Sequence, residues 1–495
     1  MPTKSPLRRR VVFALIPLIV LAVVATVVLS RLEREGVIDT GRPADQVAMP
    51  PVDLVRREKT DEGEVFVVDA PMMLRTAVPV KKAPNEFRIV LTGGSFAQGD
   101  PYLNHDFSEG FFGSIATWMQ AELSMRYPEA RIRVINAAAA AQTSGRVAAI
   151  VEQTRVLDPD LYVVLTGNNE GNPPASTLQA ALHEWVAYRA LKKGLRPDLS
   201  PEQRGYFQPD QEAVRQIVAN YQRNIGSIVA TAREAGVPLV LGTLPINLKY
   251  VPTDAEALRH AVTTLPMVGK GVVRAMDDCR AGRTDGGIAA LADERDSPWA
   301  LRALAECYEL AGDFDAARSF YKIFVEQVPL IRMRPSLNDW LREALPTWPG
   351  VALADLEKEA EDASPSGIPD PGLFLDVCHM LWRGYYLMAR PILRAIVDAR
   401  WIPGTPRPAP TMDEVLDAAY PSRRFDAMHA PYAVDPNWPR VLRQAMLDAK
   451  EGRLPAERVP LARPPMPSGM TPPPPGAGPP TAPTPATPPP YPDVP

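Results

Sequence analysis

Two stretches of the chain carry side chains that could act together on a substrate. In the first, FRIVLTGGSFAQGD from Phe87 to Asp100, the apolar Ile89, Val90 and Leu91 stop at Gly93-Gly94, and Ser95 follows at once. An apolar run closed by glycines and feeding an amphipathic segment reads as a buried strand, a tight turn and a helix start. Ser95 then stands at the carboxyl end of a strand, where amides and a helix amino terminus favour negative charge. That position suits a nucleophile, and it also suits a plain helix-capping serine. In the second stretch, LFLDVCHMLWRGYYLMA, Asp376 and His379 lie three positions apart just before a helical pattern. At that spacing, on a loop or helix start, the carboxylate can meet the imidazole side by side, fix its tautomer and stabilise its charged form. His379 could then take a proton from Ser95 and return it to a leaving group.

The elements that must position these groups follow from the alternation of short apolar runs with amphipathic segments. Strands are expected at 87–92, 132–135, 161–165, 237–241 and 351–354, and helices at about 108–126 and 144–157, with further helical segments between Ala175 and Gly236. Strands separated by helices imply right-handed crossovers and a parallel sheet covered on both faces. The fold class is therefore α/β: a flavodoxin-like three-layer sandwich with a five-stranded parallel sheet, plus an α-helical insertion before the last strand. Asn136 ends the second strand and Asn169, in VVLTGNNEGN, follows the third. Ser95, Asn169 and the Asp376/His379 pair all fall at the carboxyl edge of one sheet, where open α/β folds place their sites.

At this point the chain resembles the SGNH, or GDSL-type, hydrolase family. The family's serine element matches LTGGSFAQG and its second element matches INAAAAAQTS. The third matches Gly167-Asn168-Asn169-Glu170, and the closing element, an aspartate and a histidine with two residues between them, matches Asp376-Val377-Cys378-His379. The resemblance covers about Phe87 to Gly242 and Gly350 to Ile396. It implies a serine esterase in which Ser95 attacks, His379 is the general base and Asp376 orients it. The oxyanion would be held by the Ser95 amide, the Ala141 amide and the Asn169 side chain. Two positions depart from the family pattern. Gly94 replaces an aspartate outside the triad, and Ala141 stands where glycine normally supplies an amide. Alanine keeps that amide, but in a left-handed backbone it costs on the order of 1 kcal/mol.

Other polar residues fit less specific roles. Gly94, His105, Asp106 and Glu170 could line the pocket, Glu170 alternatively fixing its own loop. His183, His260 and His429, like His105, lack the spacing of metal ligands. Cys378, next to His379, should point elsewhere. No phosphate loop or complete dinucleotide fingerprint is present, so neither a cofactor nor a metal is expected.

The flanks bear on location. Lys4 and Arg8 to Arg10 precede Val11 to Ser30, a stretch without a charge and long enough to cross a bilayer as a helix. Charge before it predicts a single-pass anchor in the inner membrane with the rest of the chain periplasmic. A cleaved signal peptide is the alternative, but its apolar region is normally about 7 to 15 residues. The net charge of -4 and the lack of a basic stripe exclude nucleic acid as a natural partner. Cys279, Cys307 and Cys378 lack CxxC spacing, which leaves a Cys279–Cys307 bridge open.

Between the fourth and fifth strands, Ser297 to Pro329 places Leu301, Leu304 and Tyr308 on one helical face. Ala317, Tyr321 and Phe324 line another after a Gly312-Asp313 turn. That spacing resembles a tetratricopeptide repeat, with a weaker copy around Cys279 to Asp285, and offers either a packed hairpin or a surface for a protein partner. The tail is dominated by proline and should be extended. The chain thus divides into a basic segment (1–10), an anchor (11–30), a tether and small lead-in (31–85), and a hydrolase domain in two parts (86–250 and 346–400) around the insertion (251–345). A helical extension (401–458) and the tail (459–495) follow. The expected activity is hydrolysis of an acyl or acetyl ester on a lipid or envelope glycan. Transfer of the acyl group to another alcohol, or a non-catalytic scaffold displaying the repeats, are the alternatives.

Overall fold

The computed structural model describes residues 28, 29, 31, 32, 54–61, 63–70, 73, 75–100, 113–170, 211–250, 270–292, 298–327, 332–370, 372–374 and 376–419. His105, Asp106, His183, His260, His429, Pro329, the part of the expected helical extension beyond 419 and the tail lie outside these residues. So does the expected anchor, apart from the helical Val28 and Leu29. Among the described residues no helix is long and apolar enough to cross a membrane.

The lead-in builds a sheet of its own. Where the run Glu64-Val65-Phe66-Val67-Val68 of the sequence suggests one strand, β1 (Val55–Thr60), β2 (Gly63–Val68) and β3 (Thr76–Pro79) pair antiparallel in that order. Phe66 and Val68, alternate residues of β2, and Val78, which pairs with Phe66, are buried in the core, so one face of this small sheet contributes to it. Arg88 ties it to the larger sheet. Fully buried, it donates from Nη2 to the Pro79 carbonyl at 2.7 Å, from Nη1 to the Leu157 carbonyl at 2.7 Å and from Nε to Glu86 at 2.8 Å. Burial opposes the charge on Glu86, but the Ala83 amide, Arg88 and Arg133 outweigh it and hold the carboxyl down at about 2.

Continuous apolar runs need cover on both faces. β4 (Glu86–Gly93) is buried along its whole length, whereas β5 (Arg131–Asn136) is only partly so. With β6 (Leu161–Leu165), β7 (Leu239–Thr243) and β8 (Val351–Asp355) they form a parallel sheet in the order β5-β4-β6-β7-β8. This is the flavodoxin-like order, and the direction of winding reverses between β4 and β6. β7 begins two residues later than expected, because Pro238 has no N–H for the ladder.

Along the chain the helices are α1 (Ser95–Gln98), α2 (Ile115–Arg126), α3 (Ser144–Thr154) and α4 (Gln211–Glu234). The α2 helix starts later than the expected 108, since Ser114 is extended and its hydroxyl accepts from the Thr117 amide. Between β7 and β8 run α5 (Lys270–Arg280), α6 (Thr284–Leu291), α7 (Pro298–Leu310), α8 (Phe314–Gln327) and α9 (Pro335–Ala344). After β8 come α10 (Leu356–Asp362), α11 (Trp382–Asp398) and α12 (Met412–Ala419). The α3 and α4 helices pack together on one face of the sheet, with α9 joined to them through the edge-on Tyr221–Trp340 pair. On the other face lie α2, α10, α11 and α12.

The helices α5 to α8 form two hairpins that turn at Gly282 and Gly312, both left-handed. Leu301, Leu304, Ala317, Tyr321 and Phe324 are buried where α7 meets α8. A Cys279–Cys307 disulfide joins α5 to α7. Lys322 of α8 pairs with Glu357 and Glu361 of α10, and Arg342 of α9 pairs with Asp355 and Glu357. The hairpins are thereby held against the carboxyl end of β8.

Candidate active site

β4 delivers Ser95 to the carboxyl edge of the sheet through two glycines that serve different ends. Gly93 has a φ of 154°, and a Cβ there would come within 1.9 Å of the Leu165 carbonyl oxygen, so only glycine lets β4 pass β6 so closely. Gly94 caps α1, and a Cβ on it would meet the Asn169 side-chain nitrogen at 3.0 Å. Ser95 is therefore not the cap but the first residue of the helix. Its hydroxyl lies 2.8 Å from Nε2 of His379.

Asp376 and His379 occupy the loop that enters α11. Oδ1 of Asp376 accepts from the amides of Cys378 at 2.9 Å and His379 at 2.7 Å, a local turn that short acidic side chains favour. Oδ2 lies 2.7 Å from Nδ1 of His379. A carboxylate can only accept there, so Nδ1 carries the proton and Nε2 is left to receive one from Ser95. Burial opposes the charged imidazole, but the charge and hydrogen bond of Asp376 outweigh it and raise His379 well above its ordinary 6.5. Burial likewise opposes the Asp376 anion, yet His379 and the two amides keep its carboxyl below the usual range. Cys378 is buried, with Sγ 3.9 Å from Nδ1, and burial pushes its thiol up. The donor atoms of Asp376, Cys378 and His379 lie within 4.8 Å of one another, but the first and last are already committed to each other.

The residues expected to hold an oxyanion come from β4, β6 and the turn after β5. The Ser95 amide sits in the first turn of α1, where helix geometry supplies no partner. Asn169 is buried after β6 and donates from Nδ2 to the Gln142 carbonyl at 3.1 Å, which leaves its second N–H for another acceptor. Ala141 adopts a φ of 56°, the left-handed conformation that a glycine would take at no cost. Asn136 braces this turn instead of facing substrate. It donates to the Gln98 carbonyl at 3.0 Å and accepts from the Ala138 amide at 3.1 Å. Glu170 caps α3, its two oxygens accepting from the amide and hydroxyl of Ser144, both at 2.7 Å. Burial raises its carboxyl, the Ser144 bonds opposing that only in part.

Two residues at the site were not picked out from the sequence. Asn247, buried in the loop after β7, donates from Nδ2 to the Asp376 carbonyl at 2.8 Å, while Nη1 of the buried Arg332 donates to the Asn247 carbonyl. The loop therefore braces the acid of the relay from behind. The only sequence hint is a polar residue within LPINL, directly after an apolar strand. The second is Asp100, whose Oδ2 lies 3.7 Å from Nε2 of His379. Its hint was its place five residues after Ser95, in the same turn segment.

No protein-family model matches the chain, and no curated protein does. Among solved structures, it is similar to a catalytic mutant of an acetylxylan esterase from Geobacillus stearothermophilus, at 12% identity over 63% of this chain and 94% of that one, with a TM-score of 0.29. A GDSL-like lipase from Bacteroides thetaiotaomicron matches at 11% identity over 64% and 91%, with a TM-score of 0.28. An alpha/beta hydrolase enzyme from the metagenome of Lake Arreo, Spain, matches at 13% identity over 64% and 97%, with a TM-score of 0.26.

Proposed function

We propose that the chain is a serine esterase of the SGNH type that hydrolyses an acyl or acetyl ester. The observation that carries this reading is the unbroken relay from Ser95 Oγ through the His379 ring to Asp376. As Ser95 Oγ bonds to the ester carbonyl carbon, its proton passes to Nε2 and the carbonyl oxygen becomes an anion facing the Ser95 amide and Asn169. The bond to the leaving oxygen then breaks and Nε2 returns the proton to it, releasing an alcohol and leaving an acyl-serine. Water attacks the acyl carbon next, giving its proton to Nε2, and the acid departs as Ser95 recovers its hydrogen.

Activity on the far side of a membrane is part of the same reading. The uncharged stretch from Val11 to Ser30 after a basic amino terminus supports it, as does the Cys279–Cys307 bridge, a bond that persists in oxidising compartments. An acyl or acetyl ester of a lipid or envelope glycan is the substrate class proposed. The test is turnover of p-nitrophenyl acetate by the purified protein. Loss of that turnover in Ser95→Ala is expected, and full retention would refute the reading.

A further inference from the structure

Asp100 stands beside the catalytic imidazole, yet the relay itself does not need it. Its position is built, not incidental. Gly99 ends α1 in the left-handed conformation, with a φ of 98°, and the amides of Gly99 and Asp100 both donate to the Ser95 carbonyl, at 2.9 and 3.1 Å. The Asp100 carbonyl accepts from the hydroxyl of the buried Tyr385 at 2.7 Å, and Tyr385 packs against Phe96 with ring centres 5.4 Å apart. The backbone of Asp100 is thus clamped between the serine helix and the helix that follows His379. Its side chain remains 43% exposed, so the carboxylate beside the imidazole is open to solvent.

Resting on the esterase reading, the geometry points to Asp100 as the residue that selects a leaving alcohol bearing a second hydroxyl beside its ester oxygen. For Nε2 to return its proton, the leaving oxygen must come within about 3 Å of that nitrogen. A carboxylate oxygen 3.7 Å from the same nitrogen therefore borders the leaving group, not the acyl chain. It can accept a hydrogen bond from a hydroxyl on the adjacent carbon, as in a partly acylated polyol or sugar. An ether or alkyl group there offers it no donor, and an anionic group is repelled. Bonds to a charged acceptor are stronger than neutral ones, and a site built to receive a hydroxyl discriminates against analogues that lack it.

The test compares two esters that differ only in that donor, 2-hydroxyethyl acetate and 2-methoxyethyl acetate. The wild-type chain is expected to favour the first by about tenfold in kcat/KM. In Asp100→Ala that ratio should fall to within about twofold of one. Asp100→Asn, which keeps an acceptor without the charge, should lie between. Absence of a preference in the wild type, or an unchanged ratio in Asp100→Ala, overturns the inference. If both esters slow equally in the variant, Asp100 acts only on the imidazole and the inference likewise falls. A wild-type chain inert toward p-nitrophenyl acetate as well would overturn the esterase reading, and this inference with it.

Discussion

Nε2 of His379 lies 2.8 Å from Oγ of Ser95, although 284 positions separate them in the chain. The two are brought together by different strands of one sheet. Ser95 leaves β4, and the loop carrying His379 is tied through Asn247 to the end of β7. A relay assembled this way depends on the sheet and on the pieces that steady the loop, and the predictions below probe both.

The pH dependence follows from the charge of Asp376. His379 acts as a base only when neutral, and its folded value lies above 6.5, so kcat/KM should rise with pH through a midpoint above 6.5. Stability runs the other way. A raised folded value favours the protonated native state, so the contribution of His379 is fully present below 6.5 and is lost as pH rises through the folded value. Asp376→Asn should lower the activity midpoint to about 6.5 or below and reduce kcat on the order of a thousandfold or more. A pH series of kcat/KM for both proteins checks the sign.

Asn247→Ala removes the donor to the Asp376 carbonyl and leaves that oxygen without its partner, a cost of about 1–3 kcal/mol. The expected result is a fall in kcat of about tenfold or more, through misplacement of the acid, together with a shift of the activity midpoint toward 6.5. Asn338→Ala is the control. Asn338 is equally buried and bonds both the amide and the carbonyl of Leu244, at 2.9 and 2.8 Å, in the same loop. It should lower stability comparably and leave the pH profile where it was. A midpoint that moves in neither protein, or in both, would show that Asn247 has no special hold on Asp376.

Much of this arrangement was legible in the sequence, and the parts that were not share a cause. Strand runs such as LYVVL and the glycine-flanked Ser95 announce themselves locally, because a fully buried strand has no polar face and a close strand crossing tolerates only Gly93. The left-handed cost at Ala141 came only with the family resemblance, which places a glycine there, and its φ is 56°. Asn247 and Asp100 were not legible. Each takes its place through contacts with residues more than a hundred positions away, Asn247 with Asp376 and Asp100 with Tyr385 and His379, and no periodicity encodes such contacts. The lead-in sheet was half seen. Its β2 strand is apolar, but β1, VRREKT, is largely exposed and carries no alternation to mark it. The disulfide between α5 and α7 was open because sequence spacing alone does not bring two sulfurs together.

Ala141→Gly tests the strained turn. A left-handed alanine costs about 1–2 kcal/mol, and the added chain freedom of glycine in the unfolded state offsets about 0.5–1 of that. The variant should therefore be more stable by up to about 1.5 kcal/mol in urea denaturation, with ester turnover retained because the amide remains. Destabilisation would mean that the turn relaxes without alanine being strained.

The relay itself is tested most directly by a fluorophosphonate probe, which bonds covalently only to a serine activated by a neighbouring base. Peptide mapping by mass spectrometry of the labelled protein should place one adduct on Ser95. Labelling should be lost in His379→Ala while thermal unfolding stays cooperative. An unreactive wild-type protein, an adduct on another residue, or undiminished labelling of Ser95 in His379→Ala would contradict the account.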